Sequence, residues 1–135
     1  MVSSQQEPEP TGEPAKKTST VLVIDDNPQH LKIYCWMLQR KGYHCIPALV
    51  GSTSVQLPTS GPVCMVLLDY RLNSSLTAAD VAEQLQTGFA SAPIVILSEL
   101  PWMPDGADRY AKAFVHKGEH ELLFETVAKF CGQSA

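Results

Sequence analysis

The stretch VLVIDDNP, residues 21–28, decides the fold. Four consecutive apolar residues predict a strand that is buried on both faces, as strands in parallel sheets are. The strand ends in two carboxylates, Asp25 and Asp26. Asn27 and Pro28 then suit the N-cap and the first position of a helix. The stretch therefore predicts a βα unit.

Three further apolar runs end in one polar residue of a particular type. MVLL (residues 65–68) ends in Asp69, IVIL (94–97) ends in Ser98, and AFVH (113–116) ends in Lys117. From Thr20 onward these runs alternate with segments of helical period. The alternation predicts an α/β fold with a parallel sheet covered on both faces.

The elements follow from local signals. The first helix begins at Asn27 and ends before Gly42, and a later helix begins at Thr77. The other predicted strands are residues 44–49, 63–68, 94–97 and 113–116, and the last helix is 119–131. Residues 51–61 and 99–112 contain prolines and predict shortened second and fourth helices: a turn or a short helix in the first segment, and a short or distorted helix in the second. Residues 1–18 predict a disordered tail, and 19–135 a single domain.

Composition excludes several classes of protein. A net charge of −4 without a basic stripe argues against nucleic-acid binding. The chain has no apolar stretch of membrane-spanning length and no signal-peptide pattern, so we expect a cytoplasmic protein without membrane contact. The cysteines are widely spaced within or beside apolar segments and predict buried reduced thiols; they are Cys35, Cys45, Cys64 and Cys131. Neither they nor the scattered histidines have zinc-site spacing.

The polar strand ends carry the chemistry. In an open parallel sheet the carboxyl ends of the strands meet at one edge, where ligands bind. Three crowded carboxylates require a cation, and oxygen ligands suit Mg²⁺ or Mn²⁺. Asp26 is predicted to contact the metal directly, with Asp25 close by or acting through water. Asp69 would be both ligand and nucleophile, while Lys117 and Ser98 would bind phosphoryl oxygens.

These motifs together resemble the receiver domain of two-component response regulators. VLVIDDN is similar to that family's first strand and acidic pair, and MVLLDYRL to the strand that carries the phosphorylated aspartate. IVILS and FVHK are similar to the strands that end in serine or threonine and in lysine. The resemblance covers residues 20 to about 131.

The resemblance implies a doubly wound, flavodoxin-like sheet of order 2-1-3-4-5. A sensor histidine kinase or a histidine phosphotransfer protein would pass a phosphoryl group to Asp69. Mg²⁺ would be held by Asp26, Asp69, the Arg71 backbone carbonyl and waters, and Ser98 and Phe114 would be the switch residues. The domain would act on a downstream protein as a monomer or weak homodimer, either alone or as part of a longer protein. It would be a signalling module whose only chemistry is phosphotransfer and autodephosphorylation.

Several positions depart from the family pattern. Gly118 follows Lys117 where a cis-proline is usual, so the loop would be less fixed, and Glu99 beside Ser98 would restrict access to the pocket. Trp102, in the altered fourth-helix segment, either covers the core, the favoured reading, or is an exposed anchor for a partner. An alternative function is a pseudo-receiver, a binding module that acts without phosphorylation. A phosphatase with an aspartyl nucleophile ranks lower, because Tyr70 and Arg71 follow Asp69 where a second acid is needed.

Overall fold

The computed structural model describes residues 19–58 and 61–132. Five strands form one parallel sheet: β1 Thr20–Asp25, β2 His44–Leu49, β3 Met65–Asp69, β4 Ile94–Ser98 and β5 Ala111–His116. Their spatial order is β2-β1-β3-β4-β5, which confirms the predicted order 2-1-3-4-5. The helices are α1 Pro28–Arg40, α2 Ala78–Leu85 and α3 His120–Cys131, with one 3₁₀ turn at Ala107–Arg109. The predicted tail lies outside the described residues.

Local signals position α1 and α2 as predicted. The Asn27 side chain caps α1 by accepting hydrogen bonds from the backbone N–H groups of Gln29 and His30. Thr77 and Asp80 form a reciprocal capping box at the start of α2. Each helix therefore starts at a fixed residue directly after a loop that borders the edge of the sheet.

The sheet has two differently covered faces. On the helical face, α1 and α3 cover Val21, Val23 and the residues of the other strands that point the same way. On the loop face, α2, the 3₁₀ turn and the loops 50–57, 70–76 and 103–110 cover Leu22, Ile24 and the strand residues that point with them. Where a turn or a short second helix is predicted, the described residues form an antiparallel bridge between Val50 and Val55. The fourth-helix segment keeps one 3₁₀ turn, because its prolines interrupt a regular helix.

The prediction of reduced cysteines is wrong. Cys35 is bonded to Cys45, and Cys64 to Cys131, with Cα atoms 5.3 and 5.1 Å apart. The partners are 10 and 67 residues apart in sequence, and spacing alone does not show that packing α1 on β2, and α3 beside β3, brings each pair together.

The favoured reading of Trp102 is also wrong. The Trp102 side chain is 67% exposed, because the turn around it, which is flanked by prolines, projects from the sheet. The neighbouring Met103 packs against the core instead. Trp36 on α1 is likewise 59% exposed. Within residues 19–58 and 61–132, no helix is both long and apolar enough to cross a bilayer.

Candidate functional site

The carboxyl edge of the sheet gathers the predicted site residues. Asp25, Asp69 and Ser98 are the last residues of β1, β3 and β4, while Asp26 and Lys117 directly follow β1 and β5. They surround an open cavity of about 380 Å³, which Asp25 underlies without lining. The lining residues are Asp26, Asn27, His30, Asp69, Arg71, Asn73, Ser98, Glu99, Leu100 and Lys117.

Three carboxylates form an acidic cluster in this cavity. One oxygen each from Asp25, Asp26 and Asp69 lies within 4.8 Å of the other two. Asp25 and Asp69 are buried, and Asp26 is half-buried. Because buried like charges repel strongly, the cluster is suited to a cation, and its all-oxygen donors match the preference of hard divalent ions. The described residues can therefore hold a metal ion.

Lys117 neutralises part of this charge. Its Nζ lies 3.0 Å from Oδ1 of Asp69, and both side chains are largely buried. Burial alone would lower the pKa of Lys117, but the contact with Asp69 and the charge of Asp25 outweigh it, so the pKa lies above its ordinary value. Oδ1 of Asp69 accepts no well-directed hydrogen bond from the described residues, so the contact is an ion pair. A buried carboxylate oxygen in this condition fits a site that takes a cation or an electrophile.

Asp25 is the carboxylate of the cluster whose ionised form is most destabilised by its surroundings. Its Oδ1 accepts a hydrogen bond of 3.1 Å from the Asn27 backbone N–H, and its Oδ2 lies 3.5 Å from Nδ1 of His30. Burial, the Asp69 charge and the Asp26 side chain together raise the pKa of Asp25 to about 7, against the Asn27 N–H and Lys117. A metal ion would relieve this destabilisation of the ionised form.

The backbone of neighbouring loops orients the other polar groups. The Asn73 N–H donates to Oδ2 of Asp26 over 2.9 Å, which ties the loop after β3 to the acidic pair. The Leu100 N–H donates to Oγ of Ser98 over 3.0 Å. Ser98 thus acts as an acceptor toward its own loop and keeps its hydroxyl hydrogen for another partner.

Hydrogen bonds to backbone carbonyls, rather than a cis-proline, hold the loop that contains Lys117. The Lys117 N–H donates to the Ser98 carbonyl over 2.7 Å, and Nε2 of His116 lies 3.0 Å from the Glu99 carbonyl. Gly118 has φ +94°, a left-handed conformation that favours glycine, and no peptide bond in the described ranges is cis. The loops after β4 and β5 are therefore linked directly to each other.

The remaining predicted residues, Phe114 and Arg71, lie in different places relative to the cavity. Phe114 is half-buried on β5 and packs on the loop face, away from the acidic cluster. Arg71 lines the cavity, while the metal role of its carbonyl stays a prediction. The sequence reading missed His30 and Asn73. His30 lies in the first turn of a helix whose cap follows the acidic pair, and this position was the available signal. Asn73 acts through its backbone N–H, which no side-chain pattern reveals.

Comparison with known proteins gives related sequences. No family model matches the chain. The transcriptional regulatory protein KdpE of Mycobacterium tuberculosis is 36% identical over 78 residues, which are 58% of this chain and 34% of KdpE. The hybrid signal transduction protein dokA of Dictyostelium discoideum is 25% identical over 80 residues, 58% of this chain and 5% of dokA. The chain thus spans about a third, or much less, of the length of these curated relatives.

Solved structures give the same fold. The N-terminal domain of a response regulator receiver protein from Methanoculleus marisnigri is 25% identical, with a TM-score of 0.56 over 82% of this chain and 94% of that one. TrrA of Thermotoga maritima, solved in complex with Mg²⁺ and BeF, is 22% identical, with a TM-score of 0.66 over 84% and 99%. The chain resembles response regulator receiver domains in sequence and has their fold.

Proposed function

We propose that this receiver-like chain is a phosphoacceptor of a two-component or phosphorelay system, with Asp69 as the acceptor. The observation that carries the proposal is the environment of Asp69. This buried carboxylate ends a central strand, pairs with Lys117 at 3.0 Å, shares an open cavity with Asp26 and forms an acidic cluster with Asp25 and Asp26. The similarity to KdpE and the receiver fold support the same function.

The residues present fit a divalent cation, and we assign Mg²⁺ to Asp26, Asp69 and the Arg71 carbonyl, with Asp25 close behind. Oxygen donors on an open cavity leave room for waters, as Mg²⁺ prefers, and Mn²⁺ has similar requirements. When bound, the ion neutralises negative charge on the phosphoryl oxygens during transfer.

The chain's own residues account for the rest of the transfer. An Asp69 carboxylate oxygen attacks the phosphorus of a phosphohistidine on a sensor kinase or phosphotransfer protein. The P–N bond breaks, its electron pair returns to the donor imidazole, and an aspartyl phosphate forms. The Lys117 ammonium pairs with one phosphoryl oxygen, and the Ser98 hydroxyl donates to another. Positioning and charge neutralisation, with no further acid or base, are sufficient for this reaction.

The switch residues lie on the loop face. If Ser98 turns its hydroxyl toward the phosphoryl group, the Leu100 N–H loses the acceptor it now has at 3.0 Å. The loop that carries Trp102 must then rearrange, and Phe114 packs on the same face of the sheet. A downstream protein that binds this surface would distinguish the two states by its differential affinity.

A pseudo-receiver function is favoured by one observation, the position of Glu99. Its exposed side chain lines the cavity and adds a negative charge where a phosphoryl group must enter. Glu99→Ala is therefore expected to speed phosphorylation of Asp69 if the cavity is a phosphoryl site.

The test is intact mass after incubation with Mg²⁺ and acetyl phosphate. We expect one added phosphoryl group on the wild type, none on Asp69→Ala, and one on the control Asp108→Ala, which removes an exposed carboxylate outside the cavity. Trp102 fluorescence should change on addition of Mg²⁺ with beryllium fluoride, and a Trp36→Phe variant should keep that change. Absence of both the added mass and a Mg²⁺ response would overturn the phosphoacceptor proposal in favour of the pseudo-receiver.

A further inference from the structure

The two disulfides lie in different surroundings. Cys64 and Cys131 belong to the buried core of the helical face, and Sγ of Cys64 lies 3.2 Å from the Thr20 carbonyl. Cys35 and Cys45 lie at the border of the sheet, where α1 packs on the edge strand β2, and Cys45 is only half-buried. The Cys64–Cys131 bond is enclosed by the core, whereas the Cys35–Cys45 bond joins a half-buried Cys45 to a Cys35 whose 9% exposure equals that of Cys64.

An open cavity of about 540 Å³ runs along α1 beside β2 and gives access to the Cys35–Cys45 bond. Its lining residues are Pro28, Leu31, Lys32, Cys35, Trp36, Gln39, Pro47, Leu49 and Gln56. Cys35 is therefore in the wall of a space large enough for a small peptide-like molecule. Cys64 and Cys131 line neither this cavity nor the one at the carboxyl edge of the sheet.

The charge at this cavity suits thiol chemistry. Lys32 is the one charged residue in its lining, and it precedes Cys35 by three residues, so both lie on the same face of α1. A cation beside sulfur stabilises a thiolate, both the attacking one and the one that leaves. Trp36, exposed next to Cys35, places an indole reporter at the same bond.

We propose that the Cys35–Cys45 disulfide is a thiol-exchange site that opens and closes reversibly, while Cys64–Cys131 is a permanent structural cross-link. A thiolate of a small peptide thiol attacks Sγ of Cys35, the Cys35–Cys45 bond breaks, and Cys45 leaves as a thiolate that takes up a proton. A second thiolate then attacks the reagent's sulfur in the mixed disulfide, the bond to Cys35 Sγ breaks, and Cys35 leaves as a thiolate that takes up a proton. The products are two cysteine thiols and one oxidised disulfide of the thiol reagent, with two electrons transferred to the protein.

This proposal is independent of phosphorylation. It depends on the access of Cys35 to the cavity beside β2, whereas the acidic cluster lies at the carboxyl edge of the sheet. Opening the bond removes the covalent link between α1 and the edge strand, so we expect β2 to loosen first.

The first experiment oxidises the full chain until no cysteine reacts with maleimide, then adds glutathione and traps free thiols over time for peptide mapping. We expect Cys35 and Cys45 to be labelled on the order of tenfold faster than Cys64 and Cys131, with glutathione found on Cys35. Equal rates for the two pairs, or labelling of Cys64 and Cys131 first, would overturn the proposal. So would labelling only at the rate of global unfolding, measured in parallel by far-UV circular dichroism.

A matched pair of lysine variants tests the role of charge without removing a cysteine. Lys32→Gln is expected to slow the glutathione reaction several-fold, and Lys112→Gln, an exposed lysine on β5, should leave it unchanged. Trp36 fluorescence should follow the reaction in the wild type and in Cys64→Ala/Cys131→Ala, but not in Cys35→Ala/Cys45→Ala. A fluorescence change in that last variant would contradict the assignment of the reactive bond.

Discussion

The helical and loop faces reach similar burial with different means. Among residues 19–58 and 61–132, fifteen buried residues form the core on each side of the sheet, although one side has two long helices and both disulfides, and the other has an eight-residue helix and a 3₁₀ turn. Residues outside α2, such as Val50, Phe89 and Ala107 of the 3₁₀ turn, supply the rest of the buried surface on the loop face. Apolar burial therefore does not require regular helices, but covalent links and long helices make the first side the stiffer one.

The same division runs through the candidate site. Strand alternation puts Asp25, Asp69 and Lys117 in register with the core of the helical face, and Ser98 in register with that of the loop face. The fixed ion pair thus belongs to the stiff side, while the residues proposed to move, Ser98 and Phe114, belong to the side built from loops. If Asp69 is the proposed phosphoacceptor, the acceptor lies on the stiffer side and the proposed read-out on the side built from loops.

The largest expected effect is loss of the core disulfide on the helical face. Cys64→Ala/Cys131→Ala opens a loop of 67 residues and should lower the free energy of unfolding by about 4 kcal/mol on chain entropy. Cys35→Ala/Cys45→Ala, with a separation of 10 residues, should cost about 3 kcal/mol. Urea unfolding of the oxidised proteins measures both. A larger loss of stability in Cys35→Ala/Cys45→Ala would contradict the view that the Cys64–Cys131 bond is the main structural link.

A matched pair of core truncations compares the two faces directly. Leu123 on α3 and Leu85 on α2 are both 1% exposed. Leu123→Ala should cost about 4 kcal/mol, and Leu85→Ala about 3 kcal/mol, because loops collapse into a cavity more easily than cross-linked helices do. Chemical denaturation at one pH gives both values. If Leu85→Ala costs more, the loop face is the more tightly packed side.

The smallest expected effect concerns the buried charge under α1. The pKa of Asp25 is about 7 in the fold, above its ordinary 3.8, so between these values the folded chain binds more protons than the unfolded chain. The free energy of unfolding should therefore fall as pH rises from about 4 to about 7 and level off above. Without divalent cations, Asp25→Asn should raise it at pH 8 by on the order of 2 kcal/mol, after allowance for solvent screening.

The control for this prediction is Asp108→Asn, which changes an exposed carboxylate on the loop face. It should leave the slope of stability against pH unchanged. A wild-type stability that rises between pH 4 and 7 would show that the ionised form of Asp25 is stabilised in the fold.

Much of this molecule was predictable because its decisive signals are local. The apolar run before Asp25 and the caps Asn27 and Thr77 fix strand and helix positions through nearby backbone contacts. The sheet order and the meeting of the strand ends followed from the family resemblance and the geometry of parallel sheets. The gathering of the predicted residues at one edge of the sheet needed no more information than this.

What sequence reasoning missed depends on tertiary packing. The pairing of Cys64 with Cys131 joins residues 67 positions apart, and their closeness exists only once α3 packs beside β3. The reading of Trp102 as a cover of the core is wrong because its side chain is 67% exposed, and sequence alone does not show how its loop is oriented. His30 reaches Asp25 from one helical turn away, a contact that requires the angle between strand and helix.

Pro47 has a consequence for how copies of this domain meet in solution. It lies within the outer strand β2, opposite Val23 of β1, and has no N–H to donate. At the opposite border of the sheet, β5 presents the exposed Lys112. Proline and lysine are both found where strand borders avoid pairing with other chains. Both borders of the sheet thus carry residues that disfavour the pairing of a sixth strand from another copy.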